Sequence, residues 1–125
     1  MTRAEFRTRT FQFGIRSIRL AESLPKTTVA QIIAKQLIRA ATSVGANYRA
    51  AIRSRSRADF VAKMGIVEGE CDEAVYWIEV LVELELLSEK RTSALLQKAN
   101  EILAVTFSSI KTARKREQIS KIILT

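Results

Sequence analysis

The sequence contains no histidine and few of the residues that make turns. It has one proline and four glycines among 125 residues. A β-rich protein of this size needs many turns, which glycine and proline mostly supply, so their scarcity favours a few long helices. Without histidine the chain lacks the commonest general base and the commonest metal ligand. The composition therefore predicts an all-α protein and argues against most kinds of active site.

Cysteine and long apolar runs are scarce as well. Cys71 is the single cysteine, so no intramolecular disulfide can form, which is typical of a reducing compartment. No apolar run approaches the roughly 20 residues of a membrane helix, and no secretory signal is visible, so the expected location is the cytoplasm with no membrane partner. The Arg-rich N-terminus also fits a mitochondrial transit peptide. Glu5 and Glu22 argue against that alternative.

The chain is strongly basic, with 21 Lys and Arg against 13 Asp and Glu and a formal net charge of +8. Such a charge predicts an anionic partner, namely nucleic acid, an acidic protein or a membrane surface. The alternative is a soluble protein whose charge has no binding role. The hydrophobic fraction of 47% is enough for one well-packed domain.

Apolar residues recur at helical spacing in four segments, which predicts helices over about 3–24, 28–54, 56–87 and 89–115. Pro25 ends the first helix, and Thr28 with Gln31 forms a capping box at the start of the second. Ser56 begins the third. Short connections make successive helices antiparallel neighbours, so residues 1–116 are predicted to form an up-and-down four-helix bundle.

The tail over residues 117–125 is consistent with fraying, with a continuation of the fourth helix, or with docking on a neighbour. The predicted core stripes include Val29 on the second helix and Phe107 on the fourth. Large apolar residues also lie outside the stripes, and a lone bundle cannot cover them all, so they predict a cyclic homo-oligomer. These residues are Phe11, Ile15, Ile32, Ile38, Ile66, Tyr76, Leu84 and Val105.

A line of polar residues borders the apolar stripe on the second and third helices. If the turn between these helices centres near Arg55, residues whose numbers sum to about 110 face each other, which pairs Arg39 with Glu70. The same rule pairs Gln36 with Glu73. Arg39 is predicted to hold a carboxylate by charge-assisted hydrogen bonds, mostly out of solvent. The alternative is a set of solvated surface charges.

The carboxylates of the third helix do not form a recognisable catalytic or metal site. Di-metal sites in helix bundles need Glu-x-x-His motifs on two helices, and the chain has no histidine. Glycoside hydrolysis needs two carboxylates flanking a cleft, which nothing in the sequence indicates. Cys71 has the spacing of a core residue and not of a nucleophile. We therefore expect no enzyme activity, no catalytic residues, no metal and no cofactor.

Two segments carry a family resemblance. Residues 36–49, QLIRAATSVGANYR, and residues 70–79, ECDEAVYWIE, resemble the signatures of the bacterial four-helix bundle proteins first noticed as intervening-sequence proteins of 23S ribosomal RNA genes. The resemblance covers roughly residues 6–114. The family's hallmark polar positions fall here on Gln36, Arg39, Asn47, Glu70 and Glu73, which form the predicted structural polar network.

The resemblance implies a homopentamer. It also implies kinship with the accessory variability determinant of diversity-generating retroelements, which is basic and works with nucleic acid and a reverse transcriptase. The expected partners are therefore other copies of the chain, RNA or DNA, and a reverse transcriptase or another protein. Where the family often has a glutamate soon after the asparagine, this chain has Arg49, so the following turn is unusually basic.

The predicted topology brings residues 1–12, 46–64 and 106–125 to one end of the bundle, the basic pole. These segments contain 13 Lys and Arg against 3 Asp and Glu, whereas the rest of the chain contains 8 against 10. Cations at helix C-termini are favoured by the helix dipole, but Arg3, Arg7 and Arg57 lie near N-termini and need another explanation. We expect binding of RNA or DNA with little sequence preference. The rival hypothesis is a scaffold or adaptor for protein partners. The predicted nucleic-acid-binding residues are Arg49, Arg53, Arg55, Arg57, Lys111, Arg114, Lys115 and Arg116.

Overall fold

The computed structural model describes residues 1–124 as four helices, namely α1 (Arg3–Glu22), α2 (Thr28–Ala51), α3 (Arg57–Glu83) and α4 (Glu89–Leu124). Each helix contacts the next along the chain, and α1 closes the arrangement against α4. Within the described residues, neither diagonal pair comes into close backbone contact. The all-α prediction is confirmed, and the contacts fit an up-and-down bundle. None of these helices is long and apolar enough to cross a membrane.

Hydroxyl side chains fix the helix starts. The hydroxyl of Thr2 accepts a hydrogen bond from the backbone N–H of Glu5 and completes a capping box that was not predicted from the sequence. Ser56 caps α3 as predicted. The cap of α2 is Thr27 and not Thr28, one residue earlier than predicted.

The connection between α3 and α4 begins earlier than predicted. α3 ends at Glu83, because Glu85 adopts a left-handed backbone conformation with a φ of 60°. The amides of the next two residues then donate to the carbonyl oxygen of Leu81. This turn folds Leu87 back into the core. The apolar periodicity therefore continues past the true end of the helix.

The fourth helix is longer than the predicted span of about 89–115, because α4 continues without interruption to Leu124. Of the three possibilities for the tail, the structure shows the extension of the fourth helix. The side chains of Ile119, Ile122 and Ile123 are exposed along this extension. The last residue of the predicted tail, Thr125, lies outside the described residues.

The core runs the length of the bundle and is centred on fully buried side chains of α1, α2 and α3. Phe13, Leu37 and Ile78 are among the largest of these. α1 and α2 approach closely where two glycines face the opposite backbone. A Cβ atom at Gly45 would lie 3.3 Å from the carbonyl oxygen of Thr10 across the seam. The absence of a side chain at this position allows the two helices to pack at that distance.

Two predicted core residues are exposed instead, because polar or small residues take the inward positions. Phe107 is 63% exposed and Val29 is 56% exposed. The neighbouring Thr106 and Ala30 are buried in their place. The buried hydroxyls of Thr10 and Ser17 donate to carbonyl oxygens of the preceding turn, whereas the Thr106 hydroxyl has no hydrogen-bond partner among the described residues. The buried residues that the apolar stripes could not reveal are Thr10, Ser17, Thr92 and Thr106.

The apolar residues that the stripes left outside the core have mixed environments. In the single chain, Phe11, Ile32, Ile66, Tyr76 and Leu84 are exposed. The others are half-buried, namely Ile15, Ile38 and Val105.

Candidate nucleic-acid interface

The predicted basic pole surrounds a cavity in the structure. The start of α1, the turn between α2 and α3, and the second half of α4 border a solvent-open space of about 480 Å³, which we call the end cavity. The lining includes residues from all four helices, which shows that the three basic segments meet in space. Its lining residues are Met1, Thr2, Arg3, Phe6, Tyr48, Ala51, Ile52, Ser54, Arg55, Ser56, Arg57, Phe60, Val105, Ser108, Ser109, Thr112, Ala113 and Arg116.

The charged side chains among these lining residues are all basic. The lining includes four arginines, and no Asp or Glu is among the residues that surround the cavity within the described chain. Aliphatic hydroxyl groups come from the cap of α1, the cap of α3 and one face of α4, and the Tyr48 phenol adds another. Phe6 and Tyr48 meet edge to face with ring centroids 4.7 Å apart. The cavity can therefore offer cationic groups, hydroxyls and an aromatic surface together.

Two of the cavity arginines are held in place by neighbouring groups. The guanidinium of Arg3 lies 5.9 Å from the centre of the Phe60 ring, within the range of a cation–π contact. Arg57 donates from Nη1 to the carbonyl oxygen of Arg116 at 3.1 Å and to the hydroxyl of Ser120 at 2.8 Å. These two bonds tie the N-terminus of α3 to the extended end of α4.

The eight predicted binding residues do not form one patch. Arg55, Arg57 and Arg116 line the end cavity. Arg49 instead lines a groove between α1 and α2 that contains the two glycines of the helix seam. Arg53 is exposed at the turn after α2. The remaining cations line a depression between α3 and α4, namely Lys111, Arg114 and Lys115. The eight residues therefore lie on several sides of the pole.

Few carboxylates neutralise these cations. At the pole, Lys63 pairs with Asp59 at 2.7 Å, and Arg9 pairs with Glu101 at 3.6 Å. The hydrogen bond from Lys63 lowers the pKa of Asp59 below its usual value, and the charge of Arg55 acts in the same direction. The other pole cations, Lys121 apart, have no carboxylate within salt-bridge distance among residues 1–124: Arg3, Arg7, Arg49, Arg53, Arg55, Arg57, Lys111, Arg114, Lys115 and Arg116. The pole therefore presents a strongly positive surface.

Arg39 joins α2 to α3 as the register argument predicts. Its Nη1 donates to the carboxylate of Glu70 at 2.9 Å, and its Nη2 pairs with Glu73. Trp77 also donates from its indole nitrogen to Glu73 at 3.4 Å. The predicted burial is wrong, because the Arg39 side chain is 49% exposed. The open side of the α2–α3 seam leaves the guanidinium in contact with solvent.

This exposure reduces the expected energetic role of the cluster. Replacing Arg39 with Ala should lower the free energy of unfolding by less than about 1 kcal/mol, because solvent screens an exposed pair and rehydrates the freed carboxylates. Urea denaturation of the variant against wild type measures this value. A loss of about 3–5 kcal/mol, as for a broken buried ion pair, would show that the assembled protein buries the cluster.

The other members of the predicted network are less connected. Among the described residues, no hydrogen bond joins Gln36 to Glu73. The carboxylate of Glu73 bonds Arg39 and Trp77 instead. Asn47 donates to the carbonyl oxygen of Ser43 in its own helix at 2.8 Å. Among residues 1–124, Arg39, Glu70 and Glu73 therefore form an ion cluster between α2 and α3 and not a continuous polar line.

The remaining reactive groups form no obvious chemical centre. Burial raises the pKa of the Cys71 thiol to about 12, and the nearby charge of Asp72 adds to the effect. The thiol therefore stays protonated at neutral pH and is a poor nucleophile. Within residues 1–124, no group of three or more acidic or cysteine side chains is placed to hold a metal ion.

Comparisons with known proteins agree with this fold. The sequence model of the 23S rRNA-intervening sequence protein family matches residues 3–108. A crystal structure of a protein of unknown function from the S23 ribosomal protein family of Bacteroides thetaiotaomicron superposes with a TM-score of 0.80 at 31% sequence identity. That match covers 85% of this chain and 98% of the other. No curated protein sequence matches the chain at a significant level.

Proposed function

The chain belongs to the 23S rRNA-intervening sequence protein family, and we propose that it is a non-enzymatic, oligomeric bundle protein that binds RNA or DNA through its basic pole. The observation that carries this proposal is the end cavity, which has four arginines and no Asp or Glu among its described lining residues. Arginine presents a planar set of donors that matches the oxygens of a phosphate. Neutralisation of phosphates by Lys and Arg supplies most of the affinity in sequence-independent binding.

The distribution of charge supports binding at this end of the molecule. The pole contains 13 of the 21 Lys and Arg residues of the chain but only 3 of the 13 acids. The cations lie in the end cavity, in the α1–α2 groove and in the α3–α4 depression, so a strand could follow the surface around the pole. Contacts of this kind go to the phosphate backbone and carry little sequence information.

The proposed function is tested by binding labelled RNA and DNA to the purified protein over a series of salt concentrations. We expect the logarithm of the affinity to fall linearly with the logarithm of the salt concentration, by about 0.9 for each phosphate contact on duplex DNA. Fluorescence anisotropy gives the slope. No binding to either nucleic acid at low salt would favour a scaffold for protein partners, such as a reverse transcriptase, for which the exposed apolar residues are the supporting observation.

We further propose that the protein assembles as a cyclic homo-oligomer, with five subunits as the family resemblance implies. The support on the single chain is its exposed apolar surface, which includes Phe11, Ile32, Ile66 and Tyr76. Multi-angle light scattering at micromolar concentration should give a mass close to five times the 14.1 kDa of the chain. A monomer mass would contradict the assembly.

A further inference from the structure

We infer that the end cavity binds one unpaired, phosphorylated nucleotide, either as a free molecule or as the exposed end of a strand. This inference rests on the proposed function, because it specifies what the basic pole holds. The cavity volume of about 480 Å³ lies within the range of roughly 300–1,000 Å³ that is typical of small-molecule sites. A purely electrostatic surface for a nucleic-acid backbone would need no cavity.

The phosphate group fits the part of the cavity that the α2–α3 turn and α4 form. Arg55, Arg57 and Arg116 line this region together with Ser56, the N-cap of α3. The two hydrogen bonds of Arg57 to α4 both use Nη1, which leaves Nη2 and Nε as donors for a ligand. The first turn of α3 adds backbone N–H groups and the positive end of the helix dipole.

The base fits the aromatic part of the same cavity. Phe60 is half-buried in its lining, with the guanidinium of Arg3 5.9 Å from the ring centre. Aromatic rings and guanidinium planes are the surfaces on which unpaired bases stack in proteins that bind single strands. The edge-to-face pair of Phe6 and Tyr48 adds an apolar wall. A base already paired within a duplex could not reach these groups.

Hydroxyl groups of α4 complete the site. Ser108, Ser109 and Thr112 of α4 also line the cavity. They can donate to and accept from the sugar hydroxyls or the edge of the base. Burial raises the pKa of the Tyr48 phenol, although the charge of Arg3 partly offsets this effect, so the phenol stays protonated at neutral pH and can donate as well.

Isothermal titration calorimetry with adenosine 5′-monophosphate tests the inference on the full-length protein at low salt. We expect saturable binding to wild type and its loss in Thr112→Trp, because an indole would occupy the cavity without changing the charge. The matched control is Ser93→Trp, at an exposed position of α4 towards the opposite pole, which should bind like wild type. Circular dichroism verifies that both variants keep their helices.

A second variant separates base recognition from anion binding. Phe60→Leu should weaken binding of adenosine 5′-monophosphate about tenfold, the order of one lost base–aromatic stack. Inorganic phosphate should bind wild type and Phe60→Leu equally and more weakly than the nucleotide does. If wild type binds phosphate and the nucleotide with equal affinity, the aromatic part of the cavity does not bind a base, and the inference is overturned.

Short strands distinguish the two sources of the nucleotide. If the ligand is a strand end, a 5′-phosphorylated single strand should bind more tightly than its unphosphorylated counterpart, and the mononucleotide should compete with it. If the ligand is a free nucleotide, the mononucleotide should bind saturably but should not displace the single strand. Absence of saturable mononucleotide binding, with salt-dependent binding of a blunt duplex retained, would overturn the inference and leave the proposed function standing. Failure of the mononucleotide, the single strands and the duplex to bind would overturn both.

Discussion

Reversal of Arg53, Arg55 and Arg57 to Glu in one variant should abolish nucleic-acid binding at salt concentrations where wild type still binds. Each reversal changes the charge by two units, so the net charge of the pole falls from +10 to +4. The three positions lie at the turn between α2 and α3, and two of them line the end cavity. At lower salt, the slope of log affinity against log salt should be shallower by about 3, since each lost phosphate contact removes about 0.9.

The matched control reverses Lys26 and Lys90, which are exposed at the opposite pole of the bundle. This variant should keep an affinity close to wild type, because long-range effects of exposed charges are screened beyond about 10 Å at 0.1 M salt. Anisotropy titrations of both variants give the comparison, with circular dichroism as the measure of folding. Equal losses in the two variants would show that total charge and not the pole governs binding, and would favour the scaffold hypothesis.

Replacement of Phe13 with Ala should lower the free energy of unfolding by about 3–5 kcal/mol, because truncation of a buried aromatic residue leaves a cavity in the core. Phe13 is 1% exposed. A small domain has a total stability of only about 5–15 kcal/mol, so this single change should leave the protein close to unfolding. Urea denaturation followed by circular dichroism measures the loss.

Phe107→Ala is the matched control for this core substitution. Phe107 is 63% exposed in the single chain, so its truncation should change the stability by less than about 0.5 kcal/mol. The comparison is made at protein concentrations where light scattering shows one chain. A loss as large as that of Phe13→Ala under these conditions would contradict the solvent-facing position of Phe107.

Some helix boundaries can be predicted from sequence patterns, and others cannot. The capping hydroxyl of Ser56 and the helix break before Pro25 are local features, so the sequence predicts them to within a residue or two. The segment after Glu83 is different, because its apolar residues keep the helical spacing while the chain turns through the left-handed conformation of Glu85. Periodicity records which residues are apolar, and a turn that returns them to the core gives the same pattern as a helix.

The Arg39 cluster shows a similar division. The register of two antiparallel helices follows from the position of their turn, so the sequence alone predicts that Arg39 meets the carboxylate of Glu70. Exposure of the cluster depends on whether another element covers the α2–α3 seam. The register of two helices does not show whether such an element is present. The predicted burial of Phe107 is wrong for a related reason, since the adjacent Thr106 is buried in the core instead.

By itself, the sequence determined the all-α class, the number of helices, the pairing of Arg39 and the gathering of positive charge at one end. These properties depend on composition, on local spacing and on the order of elements along the chain. Only the tertiary structure decided that Arg3, Arg57, Arg116 and Phe60 surround one cavity, that three other predicted cations lie on a different face, and that α4 extends to Leu124. The physical reason is that a cavity depends on how four helices pack at their ends, which involves side chains far apart in the sequence.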